Sequence, residues 1–208
     1  MILKGLSVGA IDSNCFIIGC EETKEAVVID PGAEGPRILK TIKALGVNVK
    51  YIALTHGHID HIGGLVDVKD GTGATILIHE EDASMLTDSG RNLSVYVGGP
   101  VRTCAPDQFI KEGDTITFGK EELKVLHTPG HTKGSVSFTC NDNIIFAGDT
   151  LFAGSVGRSD FPGGSHEQLI ASIKNKILKF PPEANVLPGH GPITTIDREM
   201  NYNPFLIY

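Results

Sequence analysis

The segment Thr55-His56-Gly57-His58-Ile59-Asp60-His61-Ile62-Gly63-Gly64 places three imidazoles and one carboxylate within six residues. It follows directly on the apolar run Tyr51–Leu54, which reads as a short buried strand. In an extended segment, side chains two residues apart point the same way, so His56 and His58 can share one metal ion. The chain must then turn into a helix that begins within Ile62–Val68, which brings Asp60 and His61 to the same pocket from another direction. Gly63 and Gly64 allow close backbone approach there. Imidazole and carboxylate together suit borderline divalent metals. Taken singly, each residue has a plainer use: a lone histidine usually packs or sits on the surface, and Asp60 could cap the helix. Four of them at this spacing outweigh that reading.

Three further candidate ligands sit at turns just after expected strands. His131 lies in Thr128-Pro129-Gly130-His131-Thr132, where Pro-Gly forces a turn. Asp149 follows the run Ile144–Ala147, and His190 stands in Pro188-Gly189-His190-Gly191-Pro192 after Asn185–Leu187. Strand ends are where functional loops gather on a rigid scaffold. His79, His127 and His166 lack this setting and are assigned to surface, packing and a helix start. Arg158 lies in the Gly-rich stretch after Asp149. Its guanidinium could clamp a substrate carboxylate by two parallel hydrogen bonds, or pair with Asp160 and merely shape the loop. Proximity along the chain leaves both open.

The elements that must position these residues follow from periodicity. Short β-like runs are expected at Ile2–Leu6, Asn14–Ile18, Ala26–Ile29, Tyr51–Leu54 and Thr75–Ile78, with a helix at Pro36–Leu45 stopped by Gly46. A short helix is expected near Glu81–Leu86, and residues 91–100 read as an irregular loop. The second half repeats the theme, with strands at Thr115–Phe118, Leu123–His127, Ser135–Thr139, Ile144–Ala147 and Asn185–Leu187. A long loop runs over Leu151–Gly164, and a helix over His166–Leu178. No linker interrupts the chain, so its 208 residues read as one domain. Two sheets packed together with helices outside would accommodate the pattern.

Composition narrows the function classes. Hydrophobic residues make up 40% and charged residues 21%, which is ordinary globular chemistry. A net charge of -7 argues against a general nucleic-acid binder. No apolar run is long enough for a membrane span, and the N-terminal stretch lacks a signal-peptide core, so a cytoplasmic location is expected. Cys15, Cys20, Cys104 and Cys140 form no CxxC pair and read as isolated reduced thiols. Cys104, in a turn-rich loop, is the one open to reaction, although nothing nearby suggests activation.

The HxHxDH segment, followed in order by TPGHT, GDTLF and PGHG, resembles the metallo-β-lactamase superfamily. The early IDPG and the closing Arg198–Phe205, with its Asn-Pro, extend the resemblance over nearly the whole chain. It implies an α+β fold, a four-layer αββα sandwich with the metal site at one edge of the two sheets. The glyoxalase II-like branch of single-domain hydrolases matches best. By that resemblance His56, His58 and His131 hold one metal ion, Asp60, His61 and His190 hold a second, and Asp149 bridges both. Asp30 is the partner expected on a second histidine nitrogen. The β-lactamases themselves are expected to resemble the chain less well, for want of the bridging aspartate. Full glyoxalase II enzymes carry an additional C-terminal helical region for glutathione, whereas this chain ends at Tyr208, which puts glutathione specificity in question.

Two divalent ions, two carboxylates and a bridging hydroxide would leave one net positive charge. That suffices to bring the pKa of water towards about 7 and to polarise a carbonyl. Zinc is the first expectation for the ions, and iron or manganese would use the same ligands. The reading is a metal-dependent hydrolase of small thioesters or esters, with Asp60 as acid–base residue and Arg158 as substrate contact. An alternative within the superfamily is a mononuclear-iron persulfide dioxygenase using His56, His131 and Asp149. A catalytically silent module should have lost ligands, and all seven are present.

Overall fold

Five strands rich in Val, Ile and Leu and one short edge strand build the first sheet. Its connections decide where the polar ligands emerge. The structure, a computed structural model, describes residues 1–96 and 102–207. The chain falls into two compact units: Met1–Ile110 with Thr117–Glu122, and Lys111–Ile116 with Leu123–Tyr208.

In the first unit, β1 (Ile2–Val8) and β2 (Ser13–Gly19) form an antiparallel hairpin, and β3 (Glu25–Ile29) pairs antiparallel with β2. Helix α1 (Gly35–Leu45) then crosses to β4 (Asn48–Ala53), which runs parallel to β3. Two short helices, α2 (Ile59–Ile62) and α3 (Leu65–Thr72), lead to β5 (Thr75–His79), parallel to β4. A last parallel strand, β6 (Gln108–Ile110), completes the order β1-β2-β3-β4-β5-β6. Parallel strands carry helices on their faces and so need apolar residues on both sides. Val27, Val28 and Ile29 are accordingly all buried. Ile38 and Ile42 of α1 join Ile17, Ile52 and Ile76 in the core.

The second sheet holds β7 (Thr115–Phe118), β8 (Glu121–His127), β9 (Val136–Cys140) and β10 (Ile144–Gly148), of which the end of β7 and the start of β8, Thr117–Glu122, are counted with the first unit. A two-stranded hairpin of β11 (Leu151–Phe152) and β12 (Ser155–Val156) follows, then α4 (His166–Asn175), capped by the Ser165 hydroxyl on Gln168 N. The chain closes through β13 (Asn185–Pro188), β14 (Thr194–Thr195) and α5 (Ile196–Tyr202). The sheet order is β14-β13-β10-β9-β8-β7, with β10 and β13 parallel. Leu169, Ile173, Ile145, Val186 and Ile196 form its core.

Several elements differ from the pattern read in the sequence. The expected helix start is split at Gly63-Gly64, because Gly64 N donates to Pro31 O at 2.8 Å and the backbone packs there instead of coiling on. Helix α4 ends at Asn175, and Ile177–Lys179 form a separate 3-10 turn. The hairpin β11–β12, the edge strands β6 and β14, and helix α5 had no periodic signal. Ser94–Tyr96 form a short 3-10 turn, while residues 97–100 of the expected loop lie outside the described residues. Among the described residues, no helix is long and apolar enough to cross a membrane.

Candidate metal centre

In each unit, parallel strands deliver candidate ligands from neighbouring carboxyl ends, where open sheets place their binding loops. In the first unit Ile29 of β3 pairs with Ala53 of β4, so Asp30 and the Leu54-Thr55-His56 segment emerge side by side. Asp30 is buried and holds φ at 49°. Its Oδ1 accepts from Thr55 N at 2.8 Å, and its Oδ2 from Thr55 Oγ1 at 2.6 Å. The same Oδ2 lies 2.9 Å from Nδ1 of His61. The Thr55 hydroxyl, having given its one proton to Asp30, accepts from His56 Nδ1 at 3.1 Å.

These contacts fix tautomers. With protons held on Nδ1 of His56 and His61, both rings turn Nε2 away as a lone-pair donor, the form that binds a metal. His56, His58 and His61 are all buried, with ring centroids 4.8 Å apart for His56 and His58 and 4.1 Å for His56 and His61. Asp60 accepts from Ser13 Oγ at 3.2 Å, and its Oδ2 lies 3.3 Å from His61 Nε2. A tetrahedral ion with bonds of about 2.0–2.1 Å sets its ligand atoms roughly 3.3 Å apart. The donor set therefore fits a divalent ion. The turn is closed by Gly32, where a Cβ would collide with the carbonyl oxygen of Asp60. Burial and the nearby Asp30 charge push the Cys15 thiol up, so it stays a protonated core residue.

In the second unit Gly148 of β10 pairs with Pro188 of β13, and Gly189 N donates to Gly148 O at 2.8 Å. Asp149 and His190 thus leave adjacent strands together. His131 sits in the turn between β8 and β9, and its Nδ1 donates to the Arg158 carbonyl at 2.6 Å, leaving Nε2 as a lone-pair donor. Oδ2 of Asp149 stands 3.6 Å from Nε2 of His131 and 3.7 Å from Nε2 of His190. One carboxylate oxygen is therefore nearly equidistant from two imidazole nitrogens. Phe152 meets His190 edge to face, with ring centroids 6.2 Å apart.

The first unit brings His56, His58, Asp60 and His61 together, and the second brings His131, Asp149 and His190 together. Asp30, the histidine partner that the resemblance implied, lies on Nδ1 of His61. Arg158 forks onto Asp160, with Nε to Oδ1 at 3.0 Å and Nη2 to Oδ2 at 2.9 Å, and stacks 4.1 Å from the Phe161 ring centroid. The internal pair weighed in the sequence is thus made. His79 caps the 3-10 turn Glu80–Leu86, His127 meets the Lys133 carbonyl, and His166 opens α4. Ser13 had no sequence signal as a partner of Asp60, since it lies 47 positions away. All four cysteines are free. Burial raises the Cys104 thiol, whereas hydrogen bonding with Thr23 lowers that of buried Cys20 to about 7.

The profile of the metallo-beta-lactamase superfamily matches residues 8–190. The chain belongs to the metallo-β-lactamase superfamily. Superfamily members bind divalent metals, and this chain has candidate ligand groups of His and Asp. Hydroxyacylglutathione hydrolase GloC of Haemophilus influenzae is 37% identical over 209 residues, covering 99% of this chain and 98% of that protein. BLEG-1, described as a B3 metallo-beta-lactamase, is 38% identical with a TM-score of 0.93, covering 100% of both chains. TTHA1623, solved in a di-iron-bound form, is 35% identical with a TM-score of 0.87 and coverage of 98% and 100%. ETHE1 of Myxococcus xanthus is 31% identical with a TM-score of 0.83 and coverage of 98% and 84%.

These likenesses give the α+β fold expected of the superfamily, two mixed sheets flanked by helices. BLEG-1 and GloC stand at nearly the same identity to this chain, 38% and 37%.

Proposed function

We propose that this protein is a dinuclear metallohydrolase that cleaves small thioesters of the hydroxyacyl class, its 208 residues acting as one domain. His56, His58 and His131 are assigned to one ion, Asp60, His61 and His190 to the second, and Asp149 to both. The observation that carries this reading is Asp149 Oδ2, set 3.6 Å and 3.7 Å from the Nε2 atoms of His131 and His190. A single oxygen between two metal-binding nitrogens suits a bridge. The names of GloC and of the di-iron TTHA1623 structure point the same way.

When bound, divalent ions, zinc first and iron or manganese otherwise, would acidify water and polarise the substrate carbonyl. The chain's own residues do the rest. Asp60, whose Oδ2 accepts from Ser13, is assigned as the acceptor of the attacking water's proton. Asp30 and the Arg158 carbonyl hold the imidazole rings of His61 and His131 in register. Attack at the acyl carbon breaks the C–S bond, and the thiolate leaves without needing a strong acid. Arg158 is assigned to a substrate carboxylate, which would replace Asp160 on the guanidinium. A small-molecule substrate and a cytoplasmic setting complete the reading, the latter suited by thiols that are all reduced.

The test is metal-reconstituted protein assayed on S-lactoylglutathione, neutral esters and a chromogenic β-lactam, with oxygen uptake followed on glutathione persulfide. Thioester turnover in excess of the others, without oxygen consumption, is expected. Rapid oxygen uptake by the Fe(II) protein with no thioester cleavage overturns it in favour of the mononuclear iron oxygenase. Preferential β-lactam cleavage overturns the substrate assignment.

A further inference from the structure

Glu199 of α5 is a carboxylate with no solvent exposure, and its partners are neutral. Its Oε1 accepts from Thr194 Oγ1 at 2.6 Å, and its Oε2 from Gly154 N at 2.8 Å and Asn203 Nδ2 at 2.7 Å. Asn203, equally buried, also donates to Ser155 O at 3.0 Å. Gly154 lies in the turn of the β11–β12 hairpin and Ser155 opens β12, so Glu199 of α5 and Asn203 at the helix's end hold this corner by an N–H and a C=O. Burying a carboxyl group is costly unless its oxygens are hydrogen-bonded, and apolar packing would fasten a helix without that cost. The network fixes a position as well as a helix.

What it fixes is next to the second unit's ligands. The hairpin begins two residues after Asp149, and Phe152 in its first strand packs edge to face on His190. Its second strand leads to Gly157, whose backbone lies so close to the Asp149 carbonyl that a Cβ would collide with it. The next residue, Arg158, supplies the carbonyl that orients His131. One hairpin and the two residues after it thus touch all three ligands. We infer that Glu199, with Asn203, is a positioning residue: it clasps the hairpin turn and so sets the spacing of His131, Asp149 and His190. The inference rests on the dinuclear reading above.

Metal titration of apo protein with Zn(II), and with Co(II) for its visible spectrum, tests it. Glu199→Ala should weaken metal binding at least tenfold and shift the Co(II) bands. Glu199→Gln should bind within about threefold of wild type, because the amide oxygen serves Gly154 and Asn203 while its NH2 donates to the Thr194 hydroxyl. A merely structural carboxylate would lower the Tm of apo and loaded protein alike and leave affinity and spectrum unchanged. Where Glu199→Ala does not fold, Glu199→Asp retains the charge but retreats from the hairpin, and the same loss is expected of it. A wild type that takes two ions, with Glu199→Ala or Glu199→Asp binding them within twofold, overturns the clasp alone. A wild type with no second ion overturns the dinuclear reading and the clasp with it.

Discussion

The backbone carbonyl of Arg158 accepts a hydrogen bond from Nδ1 of His131 at 2.6 Å. One residue therefore has two roles at opposite ends: its carbonyl orients the candidate ligand His131, and its guanidinium is paired with Asp160. Side-chain substitution at Arg158 can remove the second while sparing the first.

Arg158→Ala should raise KM for anionic thioesters by roughly tenfold and leave neutral esters nearly unchanged. Asp160→Asn should do the opposite for the anionic substrates, lowering KM, because it removes the carboxylate competing for the guanidinium. The side chains are 65% and 68% exposed, and an exposed pair is easily exchanged for a substrate group. Equal losses on charged and neutral substrates would show a loop-shaping role instead.

Metal analysis should find about two ions per folded chain. Asp149→Ala should loosen both, while His190→Ala should release mainly one. Saturation at one ion in the wild type, unaltered in His190→Ala, would falsify the dinuclear assignment.

Gly157→Ala should cost about 1–3 kcal/mol of stability, because the added methyl meets the Asp149 carbonyl and the loop must move. Thermal melts of apo and metal-loaded protein check this. The loaded form should lose more, since the shift disturbs Asp149 and the Arg158 carbonyl together.

Asp107 gives a pH prediction. Its carboxyl is held below the usual range, chiefly by the Ile76 N–H at 2.7 Å and then by Lys69 Nζ at 2.6 Å. A depressed folded pKa contributes stability above the unfolded value near about 3.9 and loses it as pH falls through the folded value. Asp107→Asn should therefore be less stable than wild type at pH 7, with the gap closing below about pH 4. A gap independent of pH in urea melts would count against it.

The candidate ligands were legible as a group because metal chemistry demands particular residue types at turns, and HxHxDH, PGHT, GDT and PGHG are such a set. The sheets were legible where β-branched runs were long enough to show a period. What escaped lacks either signal. Strands β11 and β12 are two residues each, too short for any alternation. Helix α5 shows no clear apolar stripe, and its inward residues include Glu199, a type normally read as surface. The split at Gly63-Gly64 is decided by Pro31, distant in sequence. The direction of Arg158 was open because two carboxylate partners, one in the chain and one in a substrate, predict the same residue.

Asp30 Oδ2 receives both the Thr55 hydroxyl, which carries His56, and His61 itself. In the dinuclear assignment those two histidines serve different ions. On that assignment a single buried atom is common ground for both sites. Evolution or engineering that seeks to retune one ion's affinity must work elsewhere, at His58, His131, Asp60 or His190. Any change at Asp30 is read twice.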